Sequence, residues 1–252
     1  MKNPSVIRRI LIIILLAIGI LVGTALVGIA TWGDMETVLF FPPSTADKDL
    51  SNLRCPILIS SQETGTVYVN YNNSSTFDAT PIVVVTISQG STMITDDFTS
   101  HPTVPAGTTQ KLSWAVVPAE AAYRGHLILM RVLINRSYPL PSRSGTCGIV
   151  VLNLGGLSGE EVVYGGFLVS ILFMLAGSIW LLSTRKSFPG QRDTLRGGVL
   201  FIVVVVILGL IASWFGLWFV GLGSFFVTLL LVVILFARFG MDVRSDGTHL
   251  DF

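Results

Sequence analysis

The chain has 252 residues, of which 51% are hydrophobic and 12% charged, and its formal net charge is +1. A soluble domain carries about twice that share of charged residues, so this composition is typical of a membrane protein. Without a large net charge or a basic stripe, the chain lacks the electrostatic footprint of a nucleic-acid-binding protein.

Residues 1–31 are interpreted as a cytoplasmic amino terminus followed by a first transmembrane helix. Three basic residues within the first nine precede a run from Ile10 to Thr31 that has no ionisable side chain. About 20 apolar residues cross a hydrocarbon core of roughly 30 Å. A cleaved signal peptide is the competing interpretation, because residues 28–30 have a small-x-small pattern. The length of the apolar run favours an uncleaved anchor.

Residues 32–54 are more polar and are interpreted as an extracytoplasmic linker with a structural role. Within this linker, Met35 to Phe41 is apolar enough to lie on the membrane surface or against a folded domain. Pro42 and Pro43 then end any helix and favour an extended chain.

Residues 55–154 contain most of the polar, strand-like sequence and lie largely between the only two cysteines, Cys55 and Cys147. Turn signals recur about every ten residues, which predicts roughly seven strands in an antiparallel β-sandwich. The turn and strand from Val104 to Val117, which include Trp114, resemble immunoglobulin-like and fibronectin-like domains. This resemblance implies a sandwich fold and no activity. Six of these strands are located, at Pro56–Ser60, Thr66–Tyr71, Ile82–Ser88, Lys111–Val116, His126–Ile134 and Gly148–Asn153.

The two cysteines predict a disulfide at the base of this domain. Cys55 precedes the first predicted strand and Cys147 comes just before the last. If these strands are neighbours, the sulfur atoms come within bonding distance. An extracytoplasmic location supplies the oxidising environment that the bond needs. The alternative is a pair of unpaired, buried cysteines.

Two predicted strands are apolar on both faces. Leu127, Leu129 and Leu133 occupy the face of one strand that should be solvated, and Val150 and Leu152 occupy that of the other. Strands of this kind are usually covered on both faces. One interpretation is central strands shielded by the linker or a neighbouring loop. The other is a docking surface for a partner protein.

Three more transmembrane helices are predicted after the β domain. A glycine-rich linker and the second span occupy residues 155–184, and a basic cytoplasmic loop follows over residues 185–196. Residues 197–237 are too many for one span and predict a helical hairpin with a tight turn around Phe215 to Gly223. Residues 238–252 form the predicted cytoplasmic tail.

The distribution of charge predicts the orientation of the chain. The amino terminus and the loop from Thr184 to Arg196 each carry +3, whereas Trp32 to Glu161 has seven Lys or Arg against eleven Asp or Glu, or −4. The positive-inside rule places both termini in the cytoplasm and the β domain outside. We therefore predict an integral protein of the plasma membrane or of a bacterial inner membrane.

The predicted spans carry small residues at four-residue spacing and no ionisable side chains. The absence of ionisable groups argues against a proton relay or an ion pathway confined to this chain. Small residues permit close helix packing, either within the bundle or against other subunits. The candidate helix-packing pairs are Gly19 with Gly23, Gly166 with Ser170, and Gly209 with Ser213.

The sequence shows no catalytic or cofactor-binding pattern. His101, His126 and His249 are far apart and lack partners at metal-ligand spacing. The familiar hydrolase, protease, heme and phosphate-loop motifs do not occur. Asp96 and Asp97 are interpreted as a solvated turn. We predict no enzymatic activity, no cofactor and no small-molecule substrate.

These features predict a non-catalytic accessory subunit that contacts other membrane proteins through its helices and its β-sandwich. A receptor or adhesion protein that binds an external ligand is one alternative, and a channel or transporter component formed by oligomerisation is another. Four spans with a β-rich first external loop are similar in layout to claudin-like proteins. The claudin signature of a tryptophan followed by two nearby cysteines is missing, because Cys55 and Cys147 lie far apart.

Overall fold

The computed structural model describes residues 4–41, 46–50, 52–90, 94–183 and 192–246. The chain divides into a helical unit, Met1–Thr31 with Tyr164–Phe252, and a β unit, Trp32–Val163. The elements are α1 (Pro4–Phe40), β1 (Lys48–Asp49), β2 (Leu53–Arg54), β3 (Leu58–Ser60), β4 (Gly65–Asn72), β5 (Val83–Gln89), β6 (Ile94–Ser100), β7 (Thr109–Val116), α2 (Ala122–Gly125), β8 (Leu127–Ile134), β9 (Arg143–Leu152), α3 (Gly159–Ser183), α4 (Arg192–Trp214) and α5 (Trp218–Asp246).

Four helices are long and apolar enough to cross a membrane, which agrees with the predicted number of spans. Their apolar segments are Ile10–Phe40, Gly159–Ser183, Gly197–Trp214 and Trp218–Leu235. The tight turn predicted between the last two occupies Phe215 to Leu217. Within the helical unit the helices share an apolar core that includes Leu16, Val27, Met174, Ile202 and Leu210.

The β unit has two sheets that share one hydrophobic core. The larger sheet has six strands, in the order β1-β9-β8-β5-β6, with β3 also paired to β9. The smaller sheet has three strands in the order β2-β4-β7. Alternate residues of β4, β5 and β8 point into the core because successive side chains in a strand point to opposite faces. Buried members include Val67, Val69, Val85, Ile87, Ile128 and Met130.

Two sequence-based boundaries need correction. The linker predicted for residues 32–54 begins as helix, since α1 continues through Phe40 and stops just before Pro42, where the chain disfavours helix. The last helix likewise continues past Ala237 to Asp246. Residues 42–45 and 247–252 lie outside the described residues, as do residues 184–191, which hold most of the predicted basic loop.

The predicted antiparallel arrangement is also incomplete. β8 pairs with β9 and β5 in antiparallel fashion, whereas β1 and β3 both run parallel to β9. These two short strands reach β9 by crossing from the linker rather than by a hairpin turn, so nothing requires them to reverse direction. The α+β class holds, with mixed rather than purely antiparallel pairing.

Candidate interaction surface

The predicted disulfide is present. Cys55 and Cys147 are bonded, with their Cα atoms 6.5 Å apart and a sequence separation of 92. Cys147 lies within β9, and Cys55 lies in the short connection from β2 of the smaller sheet to β3 of the larger sheet, so the bond ties this connection to the larger sheet. Closing a loop of this length stabilises the folded β unit by about 4.6 kcal/mol on the chain-entropy model.

The candidate partner surface on β8 is largely covered by the same chain. Leu127 and Leu129 are buried and form a small apolar cluster with Phe41, at the end of α1. The guanidinium of Arg131 lies 5.1 Å from the centre of the Phe41 ring. The interpretation of Leu127 and Leu129 as a free docking surface is therefore wrong, and shielding by the linker accounts for their apolar character.

Close backbone contact holds the end of α1 against β9. A Cβ added to Gly33 would lie 2.8 Å from the Gly148 carbonyl oxygen, and one added to Gly148 would overlap the Gly33 backbone. The Gly148 N–H donates a 3.4 Å hydrogen bond to Asp34 Oδ1. Nearby, a hydrogen bond between Tyr123 and the Glu36 carboxylate raises the pKa of Tyr123 to about 12, with burial adding to the shift.

The other members of the candidate partner surface are partly covered. Leu133 and Val150 are half-buried, and Val150 packs against the cluster that contains Phe41. Leu152, at the end of β9, is 37% exposed. Leu133, Val150 and Leu152 therefore stay a predicted partner surface.

The predicted helix-packing residues lie at contacts within the helical unit. The Ser170 hydroxyl donates a 2.8 Å hydrogen bond to the Gly19 carbonyl, and a Cβ on Gly23 would meet Ser170 and Val206. The sequence left two alternatives for these residues, packing within the bundle and packing against other subunits, and these contacts are of the first kind. The remaining members behave alike: Gly166 faces Leu26, Gly209 faces Ser224 and Val27, and Ser213 lies close to Gly221.

A different strand, β6, exposes apolar side chains that the sequence-based surface omitted. Phe98 pairs with Val85 of β5, so both lie on the core-facing side of the larger sheet. Val85 is 1% exposed, whereas Phe98 is 50% and Ile94 is 56% exposed. The smaller sheet therefore covers the inner face of β5 but leaves that of β6 uncovered.

The same strand carries two adjacent carboxylates. Asp96 is half-buried on the core-facing side beside Ile87, and Asp97 is exposed on the opposite side beside Thr86. Burial raises the pKa of Glu120, and the negative charge of nearby Asp96 raises it further. The prediction of a solvated turn at Asp96 and Asp97 is wrong, since both lie in a seven-residue strand.

Three loops lie together at one end of the strands and expose two aromatic rings. The ladders end at Asn72 with Thr109 and at Val83 with Ser100 and Ile134, so loops 73–82, 101–108 and 135–142 share this end. Tyr138 is 88% exposed and Phe77 is 56% exposed.

Internal hydrogen bonds order these loops. The fully buried Asn73 donates through Nδ2 to the carbonyl oxygens of Phe77, Val104 and Pro105. Asp47 accepts hydrogen bonds from the Ser142 hydroxyl and N–H and pairs with Arg136 at 3.0 Å. These contacts, the Ser142 hydroxyl first, lower the pKa of Asp47.

Comparison with known proteins assigns no family. No protein-family model and no curated protein matches the chain. One similar solved structure is a cycloisomaltooligosaccharide glucanotransferase from Paenibacillus sp., with a TM-score of 0.31 and 17% identity. The match covers 42% of this chain and 14% of that enzyme, and it assigns no activity. Within the described residues, no group of three or more His, Cys, Asp or Glu could hold a metal ion.

Proposed function

We propose that the protein is a non-catalytic accessory subunit of a larger membrane complex. Its helices would span a plasma or inner membrane with both termini in the cytoplasm, and its β unit would contact the extracytoplasmic part of a partner. The positive-inside distribution of charge in the sequence supports this orientation.

The observation that carries the proposal is the uncovered inner face of β6. Ile94 and Phe98 continue the apolar inner face of the larger sheet, beyond the last strand that the smaller sheet covers. Exposing two large side chains in this way costs solvation free energy that a partner surface would recover. We assign the contact of the β unit to this strand, in place of Leu127 and Leu129.

We further infer that the β unit is a variant of the immunoglobulin-like sandwich. Two sheets that share one core, together with the turn and strand that contain Trp114, support this inference. The parallel pairing of β1 and β3 with β9 departs from the usual immunoglobulin arrangement. A sandwich of this class serves many binding functions, so the fold agrees with a contact role without specifying the partner.

The proposal is tested by extracting the protein from its native membrane in mild detergent. We expect it to elute with larger proteins that mass spectrometry identifies. The double substitution Ile94→Ser with Phe98→Ser should release these proteins while the fold stays intact, and Tyr138→Ser is the matched control on another exposed surface. A wild-type protein that is stable, monodisperse and free of partners would contradict the proposal.

A receptor or adhesion function is the second candidate, favoured by the exposed rings of Tyr138 and Phe77. Exposed aromatic side chains on ordered loops are common in binding sites for external ligands. Under this function, Tyr138→Ser should abolish binding of cells or of an immobilised ligand, and the substitutions in β6 should not. The same pair of variants therefore separates the two candidate functions.

A further inference from the structure

The outer edge of β6 is open. β6 pairs with β5 along its whole length, and within the described part of the chain no strand pairs with its other edge. Its side chains are exposed on both faces, apart from the half-buried Asp96. The outward N–H and C=O groups of a seven-residue strand are thus available to an added strand.

Among the described residues, the carboxylates of this edge make no ion pair. Arg131 lies in the same row as Asp97, across Thr86, and its guanidinium lies 5.1 Å from the centre of the Phe41 ring. The ion pair found among the described residues joins Arg136 to Asp47, which leaves Asp96 and Asp97 without a cationic partner there. Glu120 adds a third carboxylate near Asp96. An added strand would therefore gain from positive charge opposite the centre of β6 and would be repelled if it carried negative charge there.

A second copy of the chain fits this edge poorly. Antiparallel pairing of two β6 strands over their full length places Asp97 directly opposite Asp97. A shift by one residue places Asp96 opposite Asp97 instead. Both registers bring like charges together, which destabilises a strand pair. The acidic centre therefore disfavours self-association in these two registers and favours a strand of opposite charge.

We propose that β6 is a docking edge for an extended segment of a partner protein that carries adjacent Lys or Arg residues flanked by apolar residues. The main-chain hydrogen bonds add a strand to the larger sheet. The cations lie opposite Asp96 and Asp97, and the apolar residues cover Ile94 and Phe98. This inference rests on the accessory-subunit function, because it specifies which surface the partner uses and the chemistry of the partner.

Two capped heptapeptides test the edge on the full-length protein in detergent. The peptide TTVKKTV places two lysines opposite the two aspartates in antiparallel register, and TTVEETV is its charge-reversed control. We expect the lysine peptide to bind at least about tenfold more tightly by fluorescence anisotropy. The double substitution Asp96→Asn with Asp97→Asn should remove this preference and leave the fold unchanged. Equal binding of the two peptides, or no binding of either, would overturn the proposal.

Amide hydrogen exchange separates strand addition from simple charge attraction. Bound TTVKKTV should slow exchange across Ile94–Ser100 and leave exchange unchanged across Thr109–Val116, the edge strand of the smaller sheet. Binding without slower exchange in β6 would mean that only charges attract, and the docking edge would be rejected.

Native extraction of the Asp96→Asn, Asp97→Asn variant distinguishes failure of this inference from failure of the proposed function. If the wild-type protein has partners and the variant keeps all of them, the accessory function stands and the docking edge is wrong. If the wild-type protein has none, the accessory function itself fails, whatever the peptides show.

Discussion

β8 and β6 belong to the same sheet but differ in how far the rest of the chain covers them. β8 is largely apolar on both faces. The shared core covers one face, and Phe41 at the end of α1 covers Leu127 and Leu129 on the other. β6 has mixed composition and is exposed on both faces. The difference comes from coverage, because the smaller sheet and α1 reach β8 but do not reach β6.

This comparison changes where a partner surface is to be sought. An apolar outer face on a central strand indicates cover from within the chain, as Leu129 shows with no exposed area. A partner surface is expected where cover from within the chain ends, which is at β6. The exposed side chains of β6 are a mixture of apolar and acidic groups. Four predictions test the contrast, from the largest expected effect to the smallest.

Truncation of the covered face of β8 should have the largest effect. Leu129→Ala removes a fully buried side chain under Phe41 and should lower the free energy of unfolding of the β unit by about 3 kcal/mol. Hydrogen exchange of the β8 amides measures this loss. Leu133→Ala, on the same face but half-buried, is the matched control and should cost clearly less. Equal losses of unfolding free energy in Leu129→Ala and Leu133→Ala would mean that the end of α1 does not cover β8.

The close approach of α1 to β9 should tolerate no added methyl group. Gly148→Ala places a Cβ against the Gly33 backbone, and relieving this overlap should cost about 2 kcal/mol. Gly165→Ala in α3 is the control, because a Cβ there meets nothing within 4 Å. Thermal unfolding of the two variants beside the wild type checks the prediction. An unchanged melting temperature for Gly148→Ala would contradict this contact.

The hydrogen bond between Tyr123 and Glu36 should make stability depend on alkaline pH. The pKa of Tyr123 is raised to about 12, so the stabilisation is complete below the ordinary tyrosine pKa of 10.0 and is lost as the pH rises towards 12. Tyr123→Phe should cost about 1 kcal/mol at neutral pH and remove this dependence. Tyrosinate absorbance and unfolding measured between these two pH values test both points; a Tyr123 that titrates near 10 would contradict them.

Truncation of β6 should have the smallest effect on stability. Phe98→Ala removes a side chain that is half exposed, and the free energy of unfolding should change by less than about 0.5 kcal/mol. Chemical denaturation beside Leu129→Ala gives the direct contrast between the two strands. A loss as large as that of Leu129→Ala would show that β6 is covered within the chain.

Several elements of the fold could be predicted from local sequence. Four long apolar runs led to four helices. Period-two alternation located β4 and β7, and apolar runs between turn signals located β5 and β8, to within a few residues. The disulfide could be predicted because only two cysteines exist and both flank the strand region. Such features depend on the chemistry of short segments, which the sequence displays directly.

The features that could not be predicted depend on distant contacts. The packing of α1 against β9 requires Gly33 to meet Gly148, which lies more than one hundred residues away. β6 was missed because aspartate is rare in strands and Asp96 interrupts the face that Ile94 and Phe98 share. The shared face of Ile94 and Phe98 was the available signal, but nothing local shows which strand lies at the edge of a sheet.

Photocrosslinking in the native membrane tests most directly whether the uncovered strand is the partner surface. A photoreactive phenylalanine analogue is placed at Phe98 in β6 or, as a control, at Asn70 on the exposed outer face of the smaller sheet. We predict that irradiation joins a discrete partner protein to the variant labelled at position 98 and not to the one labelled at position 70. No product at position 98, or the same product from both positions, would contradict the assignment of β6 as the contact of an accessory subunit.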